Sequence, residues 1–280
     1  MGCCSSKGGA DGQYAAGNAS RREEAWKRTG IVGLRDAGLR ELPRAVLESG
    51  ARTVDASNNR IAAIPPTIRA LANLQRLTLS ANDLVEVPRE LCECVQLRAL
   101  VLDRNRIARL PPDAPWANLA KLQTLSLSRN ALTELPSGLG ALASLTKLNV
   151  AGNRLRALPA ELASCAKLEE VDASDNDPSA FTVPSSLGRL TKLSALHLDN
   201  SGVTEIPTEV LTGCVALVTL NLHGCPIELD RLEETHGYDA FAARVRGKHS
   251  KKIAGGAMIG SRGLDDGVDR DTSRESGPHR

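Results

Sequence analysis

Aromatic residues are nearly missing from this chain: two Trp, two Tyr and two Phe, 2% of 280 positions. That argues against a globular enzyme, because ligand pockets are lined mainly by hydrophobic and aromatic side chains. Charge of one sign is lacking too, since 35 Lys+Arg face 33 Asp+Glu and the net charge is +2. A nucleic-acid binder carries a strong basic excess, so that class is set aside. No apolar run reaches the roughly 20 residues of a membrane-spanning helix, and no secretory signal peptide opens the chain. The P-loop, G-x-G-x-x-G and H-E-x-x-H patterns are absent, which removes their phosphate, dinucleotide and zinc chemistries. No cofactor is implied. The seven cysteines form no disulfide framework, which fits a reducing compartment.

What is present is a repeat. Leu74–Pro88 reads LQRLTLSANDLVEVP, or L-x-x-L-x-L-x-x-N-x-L-x-x-V-P. The asparagine position recurs at Asn59, Asn82, Asn105, Asn130, Asn153 and Asn176, then as Ser201 and Cys225, at intervals of 23 to 25 residues. A proline column keeps step from Pro43 through Pro88 and Pro136 to Pro207. This period and pattern are those of leucine-rich repeats. Leu77 and Leu79 alternate with Arg76, Thr78 and Ser80, the period of a strand with one buried face. Such leucines are buried only by stacking coil on coil. An asparagine amide leaving the strand can satisfy backbone groups that the turn would otherwise orphan. The predicted fold is an α/β leucine-rich repeat solenoid, a horseshoe with a parallel concave sheet and helical caps at both ends.

The chain divides accordingly. Residues 1–19 form a flexible leader, 20–42 an N-terminal cap, 43–227 the repeats, 228–252 a C-terminal helical cap and 253–280 a disordered tail. The leader opens MGCCSSK, with Gly2, Ser6 and Lys7 matching an N-myristoylation signal. Acylated Gly2 would bring Cys3 and Cys4 to the bilayer as palmitoylation candidates, and a second chain makes anchoring stable. Ser20-Arg21-Arg22-Glu23 reads as a capping box opening a helix that ends near Gly30, with Trp26 packed beneath the first coil. Cys94, Cys165 and Cys214 share the column of Leu71 and Leu142 and are small core residues. Cys92 shares a column with Arg69 and Gly140, so it reads as exposed. Two repeats are longer by two residues, and each enlarged loop carries an aromatic, Trp116 or Phe181. These are loop anchors for a partner or apolar staples over the enlarged coil. At the far end, Leu229–Gly237 and Tyr238–Arg246 read as short helices followed by a basic run.

The projecting strand positions define a concave face. One row reads Asp55, Thr78, Val101, Ser126, Asn149, Asp172, His197, Asn221; its neighbour ends Ser174, Asp199, His223. Arg76, Arg104 and Arg129 make the first half basic. Glu170, Asp172, Asp175 and Asp199 make the second half acidic, with no lysine or arginine projecting there. A protein partner of opposite polarity would find its register on such a face. Ser174, Asp199 and His223 invite a hydrolase reading. The aspartate separates the histidine from the serine, the wrong order for a base contacting a nucleophile. An open sheet also cannot exclude water, so neither catalysis nor metal binding is assigned.

The two ends carry a more specific likeness. Lys27-Arg28-Thr29-Gly30 with LRDAGLRELP, and LDRLEETHGYDAFAARVRGKHSKK at the close, resemble the family of leucine-rich repeat-containing protein 57. These are small myristoylated intracellular leucine-rich repeat proteins, and the likeness covers residues 23–252. It implies a non-enzymatic, membrane-associated interaction protein on the cytoplasmic face of a cellular membrane, with a cytosolic pool. The residues and the resemblance together lead to a monomeric, lipid-anchored signalling adaptor whose concave face binds a protein. The alternative is a soluble regulatory subunit or inhibitor of a phosphatase or small GTPase.

Overall fold

The computed structural model describes residues 16–254, with side chains from 21 to 247. Expectations for the leader, including acylation at Gly2, Cys3 and Cys4, and for the tail after Ala254 lie outside the described residues.

Nine short strands build one parallel sheet in strict chain order. They are β1 (Ile31–Gly33), β2 (Thr53–Asp55), β3 (Arg76–Thr78), β4 (Ala99–Val101), β5 (Thr124–Ser126), β6 (Lys147–Asn149), β7 (Glu170–Asp172), β8 (Ala195–His197) and β9 (Thr219–Asn221). Each middle residue, from Val32 through Leu100 and Leu148 to Leu220, points into the core. Its two flanking residues point away, as a period of two requires. Register is unshifted throughout: Val54 pairs with Leu77, Leu77 with Leu100, Leu100 with Leu125. Parallel strands need a crossover, and here each is one coil. Most coils return through a short 3₁₀ turn such as Pro66–Ala70, Arg89–Glu93 or Ala160–Ser164. Column prolines such as Pro88 and Pro159 sit just before these turns with extended backbone, where the missing N–H is not needed. The structure is the open solenoid that the repeat predicts.

The asparagine column works as a ladder. Asn105 Nδ2 donates to the carbonyls of Leu102 (2.9 Å) in its own coil and Leu79 (2.9 Å) in the coil before, while its Oδ1 accepts from Leu84 N–H (3.1 Å). Asn82, Asn130, Asn153 and Asn176 repeat the donor pattern. Where the first coil has Ala37, Asn59 reaches back to the N–H groups of Ala37 (3.0 Å) and Leu39 (2.9 Å). Ser201 donates to Ala173 O (3.0 Å) and accepts from Asn176 N–H (3.4 Å), and Cys225 donates to Leu198 O (3.1 Å).

At the N-terminal end, helix α1 (Ala16–Thr29) stops at Gly30, whose φ is +69°. Trp26 is buried beneath it. The capping-box expectation fails, because the helix starts four residues earlier and Ser20 lies inside it. The helix runs through Gly17 and Asn18 despite their weak helix propensity, so the local cap signal at Ser20 does not set its start. The first coil adds the four-residue helix α2 (Arg44–Leu47) on the convex side. At the far end come α3 (Thr208–Gly213), α4 (Leu229–Glu234) and α5 (Tyr238–Ala254). The last is one continuous helix that runs beyond the expected end at Arg246. Leu232 and Phe241 close the core. Arg244 belongs to this cap: its Nε donates to Leu217 O (3.1 Å) and its Nη2 to Leu211 O (2.8 Å). It satisfies carbonyls that a further coil would have covered. No helix among the described residues is long and apolar enough to cross a membrane.

Cys94, Cys165 and Cys214 are fully buried as their column demands. The expected exposure of Cys92 is overturned, since it is only 1% exposed. Its column lies between successive convex turns, Arg89–Glu93 against Trp116–Leu119, and not on an outer surface. Loss of hydration pushes all four thiols up to about 11. The reactive form is the thiolate, and at pH 7.5 these groups stay protonated. Site-resolved mass spectrometry of native protein treated with iodoacetamide should therefore find these four positions unmodified over an hour. Full labelling should follow denaturation. Rapid native labelling at Cys92 would contradict its placement between the turns.

Candidate interaction surface

Strand pairing settles what shares the concave face. Asp172 is opposite His197, and His197 is opposite Asn221, so the first row stands as aligned from the sequence. At about 4.8 Å per strand, eight steps span nearly 40 Å. Polar side chains cover most of it, and they are wired to one another. Asp103 Oδ1 accepts from Ser126 Oγ (2.6 Å), Ser128 N–H (2.8 Å) and Ser128 Oγ (2.9 Å). With its ring proton on Nε2, His197 accepts at Nδ1 from Asn221 Nδ2 (2.9 Å).

In the basic half, Arg76, Arg104 and Arg129 are all exposed. Arg76 stands at the first position of β3, while Arg104 and Arg129 occupy the turn just before the ladder asparagine. That turn is a column in left-handed backbone. Asp36, Asn58, Ala81, Arg104, Arg129, Asp175 and Asn200 have φ between +52° and +56°, with Gly152 and Gly224 in the same column at +67° and +68°. The recurrence of Asn, Asp and Gly there is a readable signal of positive φ.

The acidic half is more neutralised than its composition implies. Glu170 is bound by Lys147 Nζ of β6 at 2.6 Å, and this overturns the expectation that no cation projects there. Lys147 stands one strand earlier in the same column, so it reaches across the gap. The hydrogen bond and charge of Glu170 raise the pKa of Lys147. Asp172 Oδ1 accepts from Ser174 N–H (3.1 Å), Asp175 Oδ1 from Asn200 Nδ2 (2.8 Å) and Asp199 Oδ1 from His223 N–H (2.9 Å). Asp175 and His223 are exposed, and Glu170, Asp172, His197 and Asp199 are half-buried.

The Ser174, Asp199 and His223 positions fall on three successive coils, so serine and histidine are separated by roughly 9–10 Å of backbone. Asp199 Oδ1 accepts from the backbone N–H of His223 at 2.9 Å. No group of three or more His, Cys, Asp or Glu able to hold a metal occurs among the described residues.

Trp116 and Phe181 are not surface anchors. They are 2% and 4% exposed, and Trp116 Nε1 donates to Pro111 O (3.2 Å) inside its own loop. An enlarged coil leaves more interior to fill, and these rings fill it. The Phe181 loop is held by Asp177, whose carboxyl falls to about 2 through Ser179 and Arg156. Sequence reasoning missed Lys147, which shares the column of Arg76, and Arg154, an exposed residue on the coil after Arg129.

The comparisons agree with this geometry. A family model described as "Leucine-rich repeat region" matches residues 87–233. Among curated proteins, the chain is 45% identical over 95 residues to plant intracellular Ras-group-related LRR protein 8 from Oryza sativa subsp. japonica. That stretch is 32% of this chain and 25% of the relative. Similarity to plant intracellular Ras-group-related LRR protein 7 of the same plant is 42% over 90 residues, 31% of this chain and 32% of that one. The matches thus span only a quarter to a third of these relatives. Among solved structures, Leptospira interrogans LRR protein LIC12759 superposes with a TM-score of 0.64 at 25% identity, covering 79% of this chain and 61% of that one. The leucine-rich repeat domain of the type III effector XCV3220 (XopL) gives 0.65 at 22% identity, covering 78% and 79%; this likeness concerns the fold alone.

Proposed function

We propose, from the premise that this chain belongs to the leucine-rich repeat family, that it is a lipid-anchored intracellular adaptor in signalling. Repeat domains of this kind typically serve protein–protein interaction, and here the concave face would recruit the protein partner. The observation that carries the reading is the two-sided charge of that face. Arg76, Arg104 and Arg129 lie on β3 to the turn after β5, and Asp172, Asp175 and Asp199 on the last coils. A partner of opposite polarity gains orientation and association rate from such a pattern. Anchoring rests on Met1-Gly2-Cys3-Cys4-Ser5-Ser6-Lys7, since one myristoyl chain binds only marginally and added palmitate makes binding stable. The cap sequences support placing the protein beside the family of leucine-rich repeat-containing protein 57. A monomer is the proposed state.

A second reading, a soluble regulator of a signalling enzyme such as a phosphatase or small GTPase, draws on the words "Ras-group-related" in the names of the two rice relatives. Cell fractionation combined with proximity labelling separates the two. Wild-type protein should pellet with membranes, Gly2→Ala should move to the cytosol, and Cys3→Ser with Cys4→Ser should leave weak, salt- and wash-sensitive binding. Asp172→Lys with Asp199→Lys should keep the fold, because both point away from the core, yet lose labelled partners at least several-fold. Wholly cytosolic wild-type protein in cells with active acyltransferases would favour the soluble regulator. Unchanged partners of the charge-reversed variant would remove the concave face from the reading.

A further inference from the structure

The geometry points to a docking site for a carboxylate-rich peptide segment of a protein partner at the C-terminal rim of coils four to six, centred on Arg104, Arg129 and Arg154. The inference rests on the adaptor reading and specifies its partner chemistry. All three guanidinium groups are exposed, and no ion pair involves them among the described residues. The nearby acids make no ion pair with the cluster, and several are engaged by other groups, among them Asp175 through Asn200 at 2.8 Å. Asp103 spends one oxygen on Ser126 and Ser128, and Asp83 pairs with Arg106 at 2.8 Å. The cluster thus keeps its charge unneutralised, although the same rim supplies Asp177 to Arg156 at 2.8 Å.

Backbone conformation supplies a second, independent observation. Arg104 and Arg129 sit at φ +55° and +54°. Asparagine and aspartate tolerate that region through local hydrogen bonds and glycine has no penalty there, whereas arginine has neither advantage. Gly152 holds the equivalent turn one coil later, so glycine fits this column. The turn imposes this conformation, since Ala81 adopts it as well at +55°, so arginine at these two positions costs backbone strain that glycine would avoid. Gly152 also clears a path: a Cβ there would stand 3.1 Å from Arg129 Cγ. The Arg129 stem therefore lies against Gly152, on the coil that carries Arg154. Arg104 and Arg129 hold equivalent positions on adjacent coils about 4.8 Å apart, and Arg154 stands two residues past the equivalent Gly152 on the next coil. Planar guanidinium groups at that spacing suit a row of carboxylates in an extended peptide.

The same feature yields a clean variant. Arg104→Gly with Arg129→Gly removes both charges while relieving the backbone, so thermal stability should hold or rise. Fluorescence anisotropy with a labelled octaglutamate peptide and the full chain should give saturable binding that weakens with added salt. The double variant should weaken it about tenfold or more, and Arg60→Gly, on coil two, should leave it within about twofold. No saturable binding, or equal binding by the double variant with its fold intact, would overturn the site. So would binding of a phosphoserine peptide in place of octaglutamate. The titration needs no cellular partner, so its failure is separable from failure of the labelling experiment, which tests the adaptor reading alone.

Discussion

Trp116→Ala should lower stability by about 3–5 kcal/mol, the usual cost of emptying a buried large aromatic site. The ring is 2% exposed and fills the enlarged fourth coil, with its Nε1–H satisfied by Pro111 O at 3.2 Å. It also meets the next coil: a Cβ on Gly138 would stand 2.8 Å from Trp116 Cδ1. Alanine removes both the filling of one coil and the contact with its neighbour. In a solenoid each coil is held chiefly by the two beside it, so damage here weakens coupling between the two halves. Urea unfolding should show a lower midpoint, and loss of a single sharp transition would report uncoupling of the halves. A change below about 1 kcal/mol would mean the ring is dispensable to folding and return it to the surface as a partner anchor.

Asn105→Ala should cost about 2–3 kcal/mol. The alanine strands the carbonyls of Leu79 and Leu102 and the N–H of Leu84, which the amide now serves at 2.9, 2.9 and 3.1 Å. Leaving a buried polar group unpaired costs about 1–3 kcal/mol, and partial entry of water at the rim limits the sum. Cys94→Ala is the matched comparison, because it deletes one buried sulfur and a 3.5 Å thiol contact to Ile68 O and should cost about 1 kcal/mol. Thermal melts of the two variants at equal concentration test the difference. Equal, negligible shifts would contradict the ladder as a stabilising device.

These variants affect folding, whereas the charged face is separable from it. Its side chains point away from the leucines, so reversing Asp172 and Asp199 or removing Arg104 and Arg129 leaves the core unchanged. Binding variants and stability variants therefore form two sets that do not overlap, and each set controls for the other.

Period and column were enough to specify the solenoid. One strand per coil, Leu77 inward beside Arg76 and Thr78, the asparagine at the exit and the small core cysteines all follow from a local rule repeated about 23 residues apart. Such a rule leaves little freedom, because a leucine out of phase would face water. What the letters left open are contacts between coils and competition at element ends. Cys92 looked exposed because its column holds Arg69, yet a neighbouring turn covers it. Ser20 looked like a helix start, yet the helix begins at Ala16, ahead of it. Glu170 looked unpaired until the lysine on the preceding strand was brought within 2.6 Å. Trp116 and Phe181 carried two readings on composition alone, and coil volume chose between them. Each of these depends on which atoms of adjacent coils meet, a distance set by packing side chains at fixed strand spacing and not by the order of residues along one coil.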